Sequence, residues 1–186
     1  MMGRLDLVGL GLDPAPTIAR IACALNDLRE QGLVGDFAIA GAFAFIYHSE
    51  PFETKDFDMM VVLPESPSGL IDLGPIWTYF TEHGAIAEGQ FLRVGPVKLD
   101  IVPPTDALDE EAVAQAEKIT IDGEPVKVLT AEHAIAIAVR TGRARDRRKI
   151  ATLLETPRTP INFARLDEIL SRYKLLAKWH KIREQA

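Results

Sequence analysis

Cysteine is almost absent from this chain: Cys23 is the only one among 186 residues, so an internal disulfide is excluded. A single thiol, together with an N-terminus that lacks the pattern of a secretory signal peptide, predicts a reducing, cytoplasmic setting. No apolar run approaches the roughly 20 residues that a membrane-spanning helix needs, so no membrane association is expected. A chain of this length can bury roughly 70% of the surface that its unfolded form exposes, so the fold requires neither a disulfide nor a metal for stability.

Charge is present in quantity and is distributed unevenly. Residues 1–138 contain 8 Lys and Arg against 22 Asp and Glu, a net charge of -14, whereas residues 139–186 contain 13 against 5, a net charge of +8. A basic segment beside an acidic body can hold a polyanion near a site built from carboxylates. The alternative is that the two parts only neutralise each other.

Apolar spacing and turn residues predict an α/β (α+β) protein with a small mixed β-sheet, flanking helices and a C-terminal helical portion. The boundary between the α/β core and the helical portion is expected between residues 128 and 129, giving units of 1–128 and 129–186. Thr17 is the predicted N-cap of the first helix. Strands are predicted at 36–40, 57–63, 85–94, 97–102, 119–121 and 126–128, and helices at 17–31, 42–47, 70–83, 106–117, 131–140, 143–155 and 163–182.

Three aspartates are the predicted metal-binding and catalytic residues. Asp56 and Asp58 are two residues apart at the start of a predicted strand, so their side chains project to the same side. Asp100 occupies a polar position of an alternating strand. If the two strands are neighbours, the three carboxylates converge, and their repulsion raises their pKa values unless a cation lies among them. Because carboxylate oxygens suit Mg²⁺ or Mn²⁺, the sequence predicts such a metal site, of the kind that also binds substrate phosphates.

Two further features suit a phosphate-bearing substrate. Gly41 lies between a predicted strand and a predicted helix, where a glycine lets backbone N–H groups approach a phosphate closely. A basic cluster surrounds residues 140–149, and from it Arg140 and Lys149 are predicted to reach the phosphates of a nucleotide, while the others follow an RNA backbone. The alternative for each residue of the basic cluster is that it only belongs to the solvent-exposed face of a helix.

The segments AGAFAF (40–45), TKDFDMMVV (54–62) and VKLDIV (97–102) together resemble the nucleotidyltransferase superfamily with the polymerase-beta-like fold. Within it, the sequence looks most like the small bacterial AbiEii-type toxin nucleotidyltransferases, over about residues 18–155. The resemblance implies Mg²⁺-dependent transfer of a nucleoside monophosphate from an NTP, such as ATP, to an acceptor hydroxyl. The basic C-terminal helices suggest tRNA or another RNA as the acceptor, with a protein as the other acceptor considered. The resemblance implies a toxin with an antitoxin as its protein partner.

The resemblance also assigns roles to individual residues. Asp56 and Asp58 would hold two Mg²⁺ ions, and Asp100 would complete one metal site and help to deprotonate the acceptor. Gly41 and Ala42 would face the nucleotide triphosphate. Thr54 and Lys55, and from the basic cluster Arg140 and Lys149, are the other predicted nucleotide-binding residues.

Two positions depart from the family pattern. Ala42 stands where a Gly or Ser is usual, and Phe52 stands where a basic residue is common. Both changes weaken the expected binding of a triphosphate. A non-catalytic nucleotide-binding or RNA-binding module and an antibiotic-modifying nucleotidyltransferase therefore remain the alternatives.

Overall fold

The computed structural model describes residues 14–52, 54, 56–65 and 71–184. Within them the chain forms seven strands and eight helices. The strands are β1 (Phe37–Ile39), β2 (Asp56–Val61), β3 (Ile86–Glu88), β4 (Phe91–Val94), β5 (Val97–Val102), β6 (Glu117–Ile121) and β7 (Glu124–Val128). The helices are α1 (Pro14–Glu30), α2 (Gly41–His48), α3 (Gly74–Glu82), α4 (Ala107–Ala114), α5 (Ala131–Thr141), α6 (Ala144–Glu155), α7 (Phe163–Arg172) and α8 (Leu176–Arg183).

All seven strands belong to one mixed sheet in the order β3-β4-β5-β2-β1-β7-β6. The pairs β2–β5 and β1–β7 are parallel, and the hairpins β3–β4, β4–β5 and β6–β7 and the pair β1–β2 are antiparallel. The predicted α/β fold with a mixed sheet is therefore confirmed. The central strands β2 and β1 lie in the middle of the sheet, which places the residues that follow β1 beside β2.

The two faces of the sheet differ because side chains alternate along each strand. On one face, Phe57, Met59 and Leu99 are completely or almost completely buried, and helix α1 packs against β5 and β7. The opposite face carries Asp56, Asp58 and Asp100, all of them partly exposed. Burial on one face and polar residues on the other set the register of β2 against β5, since a slip by one residue would bury the carboxylates.

The C-terminal helices share the hydrophobic core of the sheet. Helix α5 packs against α2, α4, α6, α7 and α8. One continuous cluster of buried side chains includes Phe37 and Leu99 from the sheet together with Ile135, Leu166 and Trp179 from the helices. Over the described residues, none of the helices is both long enough and apolar enough to cross a membrane.

The structure corrects several predicted boundaries. The last predicted helix is two helices, α7 and α8, because Lys174 adopts a left-handed backbone conformation with φ of 58°. The predicted strand 85–94 is a hairpin of two strands that turns at Gly89. Thr17 is not an N-cap, since α1 begins at Pro14 and the Thr17 side chain is fully buried. The predicted helix over 70–83 forms from Gly74, and residue 70 lies outside the described residues.

Candidate active site

The register of two parallel strands brings the aspartates together. In the pairing of β2 with β5, Asp58 lies opposite Asp100, and Asp56 lies opposite Lys98. Asp56 and Asp58 share a face because they are two residues apart on β2, and Asp100 shares that face through its register. The condition on which the predicted convergence depends, that the two strands are neighbours, is met in the structure.

Gly41 lies directly against the carboxylate of Asp58. A Cβ atom placed on Gly41 would lie 1.6 Å from Asp58 Oδ2 and 2.6 Å from its Cγ, so no side chain fits at this position. The φ of Gly41 is 53°, in the left-handed region that also favours glycine. The backbone N–H of Ala40 donates a hydrogen bond of 2.9 Å to the carbonyl oxygen of Asp58. These contacts hold the Asp58 carboxylate at the N-terminus of α2, whose dipole favours negative charge.

The electrostatic environment raises the pKa of two of the three carboxyl groups. Burial is the main reason why the pKa of Asp58 is raised, and the neighbouring charge of Asp100 adds to it, while Lys149 and Arg145 act in the opposite direction. Burial followed by the charge of Asp56 raises the pKa of Asp100, and Lys98 opposes that shift. Asp58 and Asp100 are thus a pair of crowded carboxylates that a cation between them would stabilise.

The residues present suit a divalent cation in their chemistry. Oxygen donors from carboxylates are the ligands that Mg²⁺ prefers, and the Oδ1 atom of Asp56 is shielded from solvent and accepts no hydrogen bond from the described residues. Over residues 14–52, 54, 56–65 and 71–184, however, no three Asp, Glu, His or Cys side chains lie close enough to enclose one ion. Asp56 Oδ1 is instead 3.2 Å from the Nζ atom of Lys98. Asp56, Asp58 and Asp100 would therefore hold the ion only after this ion pair is released.

Helix α6 contributes positive charge that acts on Asp58. The charges of Lys149 and Arg145 both lower the pKa of Asp58, against the larger effect of burial. Lys149 Nζ lies 3.4 Å from Asp146 Oδ1 and 5.9 Å from the centroid of the Phe45 ring on α2. Lys149, one of the residues predicted to contact a nucleotide, is thus close enough to the aspartates to influence them.

The remaining predicted residues occupy different places. Ala42 is buried on α2, directly after Gly41. Thr54 donates a hydrogen bond of 3.3 Å from Oγ1 to the carbonyl oxygen of Asp56, next to β2. Lys55 lies outside the described residues. Phe52, one of the two departures from the family pattern, is partly buried against the hydrophobic core.

Arg140 forms ion pairs with two acidic residues that are not among the three aspartates of the site. Its guanidinium forms an ion pair with Asp106 and another, of 2.8 Å, with the buried Asp109. These two acids belong to α4 and its N-cap, so the contacts connect α4 to α5. The structure does not bring Arg140 into contact with the three aspartates, and its role toward a nucleotide stays a prediction.

Sequence reasoning missed two neighbours of the site, Lys98 and Phe91. Lys98 could have been found from the alternation of β5, because it lies two residues before Asp100 and so on the same face. Phe91 could not, since its contact with Lys98 depends on the conformations of two side chains. Arg145 was part of the predicted basic cluster, but no local pattern distinguishes it from Arg147 or Arg148.

Comparison with known proteins gives a likeness of structure without a likeness of sequence. No protein-family model matches the chain, and no curated protein matches it in sequence. Among solved structures, an antigenic nucleotidyltransferase-like protein from Paracoccidioides brasiliensis is similar with a TM-score of 0.55 and 18% identity, over 78% of each chain. ANT(2'')-Ia in complex with adenylyl-2''-tobramycin is similar with a TM-score of 0.50 and 15% identity, over 86% of this chain and 97% of that one. The chain therefore has the fold of nucleotidyltransferase-like proteins.

Proposed function

We propose that this protein is a Mg²⁺-dependent nucleotidyltransferase, which transfers a nucleoside monophosphate from an NTP to a hydroxyl group of an acceptor. The observation that carries the proposal is the pairing of Asp58 with Asp100 on one face of the sheet, beside a helix N-terminus at which Gly41 leaves no room for a side chain. The shared fold of nucleotidyltransferase-like proteins agrees with it. Fold alone does not specify a reaction, so the argument depends on the site.

Each part of the site has a place in the reaction. Divalent cations bound by the aspartates would neutralise the triphosphate and stabilise the attacking and leaving oxygens. The N-terminus of α2 and the charges of Lys149 and Arg145 favour a phosphate group near Asp58. The acceptor oxygen forms a bond to the α-phosphorus while the bond to pyrophosphate breaks, and the hydroxyl proton passes to the Asp100 carboxylate.

RNA, and tRNA in particular, is the acceptor class that the surface charge supports. Arg143, Arg145, Arg147 and Arg148 are all exposed at and after the start of α6, the helix that also carries Lys149. A row of exposed arginines beside a phosphate-binding site can follow a nucleic acid backbone. The likeness of the sequence motifs to AbiEii-type toxins extends the proposal to a cytoplasmic toxin with a neutralising antitoxin. Growth arrest on expression of the wild type, but not of Asp58→Ala, would support that extension.

The test is transfer of label from each α-³²P-labelled NTP in the presence of Mg²⁺. The acceptors are total RNA, purified tRNA, a protein lysate and aminoglycosides, so that RNA, protein and antibiotic acceptors are distinguished. We expect transfer to RNA that falls to background in Asp58→Asn and Asp100→Asn. The matched control is Asp122→Asn, the same change at an exposed turn residue, which should leave transfer unchanged.

Failure of label transfer with every NTP and acceptor would rule out the enzymatic proposal. The non-catalytic alternative makes a different prediction for calorimetric titration with an NTP. It requires binding that is indifferent both to Mg²⁺ and to Asp100→Asn, whereas the proposed enzyme binds its NTP more tightly with Mg²⁺.

A further inference from the structure

The side chain of Lys98 lies between two groups at the edge of the site. Its Nζ atom is 3.2 Å from Asp56 Oδ1 and 3.6 Å from the centroid of the Phe91 ring. The Lys98 side chain is 31% exposed and that of Asp56 is 40% exposed, so solvent only partly screens their attraction. The ammonium group thus has a carboxylate on one side and the face of an aromatic ring on the other, a position that cation–π attraction favours.

On the neighbouring strand β4, Lys98 lies opposite another cation. Across the sheet, Lys98 lies between Arg93 on β4 and Asp56 on β2. Arg93 is already paired with Glu88 through two hydrogen bonds, of 2.6 and 2.7 Å. The charge of Lys98 also acts on Glu88 and Asp100, but among the described residues its ion pair is with Asp56.

An ammonium group and a divalent cation cannot both use the same carboxylate oxygen. Asp56 Oδ1 is shielded from solvent and accepts no hydrogen bond from the described residues, so Lys98 supplies the only positive charge found in contact with it there. Among the described residues, no three Asp, Glu, His or Cys side chains are placed to hold one ion. The ammonium group of Lys98 therefore lies against a carboxylate oxygen that the proposed metal site needs.

We propose that Lys98 is a built-in competitor of the metal: it neutralises Asp56 when no divalent cation is bound, and it must leave Asp56 before the metal site can form. This inference rests on the proposed function, since it assumes that Asp56 is a metal ligand. The ring of Phe91 retains the ammonium group when Asp56 is released. The site consequently binds a free divalent cation weakly and forms fully when the cation arrives together with the phosphates of a nucleotide.

The test is calorimetric titration of the full-length protein with Mn²⁺ alone, at about pH 7.5 and without nucleotide. We expect Lys98→Gln to bind Mn²⁺ about two- to fivefold more tightly than the wild type, the range that a partly exposed ion pair commonly contributes. Lys98→Arg keeps the charge and should remain close to the wild type. Asp58→Asn should abolish binding and so identifies the site that is being measured.

Two further lysines separate direct competition from the general effect of removing a positive charge. Lys149→Gln removes a cation that influences Asp58 from α6 without an ion pair to Asp56, and Lys118→Gln removes an exposed cation on β6. We expect the gain in Lys98→Gln to exceed the gain in Lys149→Gln, and we expect no effect of Lys118→Gln.

The results distinguish the inference from the function on which it rests. Wild-type binding that is lost in Asp58→Asn but equal in Lys98→Gln, or a gain in Lys98→Gln no larger than that in Lys149→Gln, would overturn the competition alone. No Mn²⁺ binding by the wild type or by Lys98→Gln would overturn both the competition and the proposed metal site. Circular dichroism of each variant verifies folding, and if Lys98→Gln does not fold, Lys98→Met provides the same comparison.

Discussion

Gly41 and Asp58 share a space that holds only one side chain. The contact of 1.6 Å that a Cβ on Gly41 would make with Asp58 Oδ2 is far below any real non-bonded distance. The two residues are therefore coupled: the backbone of the turn determines where the carboxylate can lie. A substitution at either residue changes the position of the other.

We expect Gly41→Ala to lower the free energy of unfolding by about 1–3 kcal/mol, because it adds overpacking to an unfavourable φ. It should also reduce nucleotidyl transfer to background by displacing Asp58. Gly89→Ala is the matched control, since Gly89 has a similar φ of 61° but nothing within 4 Å of its Cβ position. Urea unfolding and label transfer measure the two effects. Equal activity in the two variants would contradict the role assigned to this contact.

Asp58 is predicted to destabilise the protein in the absence of metal. Burial and the charge of Asp100 raise its pKa, so the folded protein binds a proton at Asp58 more readily than the unfolded chain does. Stability is then lost as the pH rises from the ordinary aspartate value of about 4 toward the raised value. Asp58→Asn should therefore have a higher Tm than the metal-free wild type at pH 7, and the difference should shrink near pH 4. Asp122→Asn should show no such difference.

At the scale of elements, a buried polar cluster connects α4, α5 and α7. His133 on α5 is fully buried and lies 2.9 Å from Thr130 Oγ1 through Nδ1 and 3.3 Å from Glu111 Oε1 through Nε2. Glu111 on α4 also accepts hydrogen bonds from Arg172 and from the hydroxyl of Tyr173, at the end of α7. Burial lowers the pKa of His133, and the hydrogen bond to Glu111 only partly offsets this. For Glu111, burial acts to raise the pKa, but the hydrogen bonds from Tyr173, Arg172 and His133 lower it on balance.

The signs of these shifts predict sensitivity to acid. The unfolded chain takes up a proton at a histidine near pH 6.5, but folded His133 resists it, so stability falls as the pH drops below about 6.5. The contribution of Glu111, whose pKa is lowered, is lost at more acidic pH, below its ordinary value of about 4.5. We expect His133→Gln to lower the free energy of unfolding by about 1–3 kcal/mol at pH 8, because hydrogen bonds are lost. Between pH 8 and 5.5, the variant should lose less stability than the wild type. Urea titrations at both pH values test this, with the exposed His180→Gln as the control; an unchanged pH dependence in His133→Gln would be evidence against it.

The elements also differ in how far local sequence determines them. Alternation and apolar spacing were sufficient for β5 and α6, because each of these elements has one buried face with a regular period. The division between α7 and α8 was not predictable, since Lys174 has no residue-type preference for its left-handed conformation. Asp56, Asp58 and Asp100 were identifiable as a group from their spacing and from the motifs. The ion pair of Asp56 with Lys98 was not, because it depends on the side chain conformations of two adjacent strands.

At the scale of the whole molecule, the described residues share one hydrophobic core. Leu166 on α7 is fully buried in the same cluster as the sheet residues Phe37 and Leu99. The division into units 1–128 and 129–186 stays a prediction. Because residues of both units belong to this core, we expect the two units to unfold together.

Leu166→Ala should lower the free energy of unfolding by about 2–5 kcal/mol, the cost of a cavity in a packed core. Tryptophan fluorescence and circular dichroism should report the same single transition, shifted together, because Trp77 on α3 and Trp179 on α8 are in contact with the one core. Phe163→Ala, at a position of α7 that is 49% exposed, should have little effect. Two separate transitions in Leu166→Ala would show that the two units are independent.

The parallel pairing of β2 with β5 has a consequence for the order of events during synthesis. Pairing two parallel strands that are distant in sequence costs conformational entropy before any contact between them forms. We therefore expect this part of the sheet to form late in folding. Asp58 can lie opposite Asp100 only after β5 has been synthesised. Lys149, whose positive charge acts on Asp58, is synthesised later still. A growing chain on the ribosome therefore lacks part of the candidate site, and we expect the proposed activity only when residues up to α6 have been synthesised and have folded.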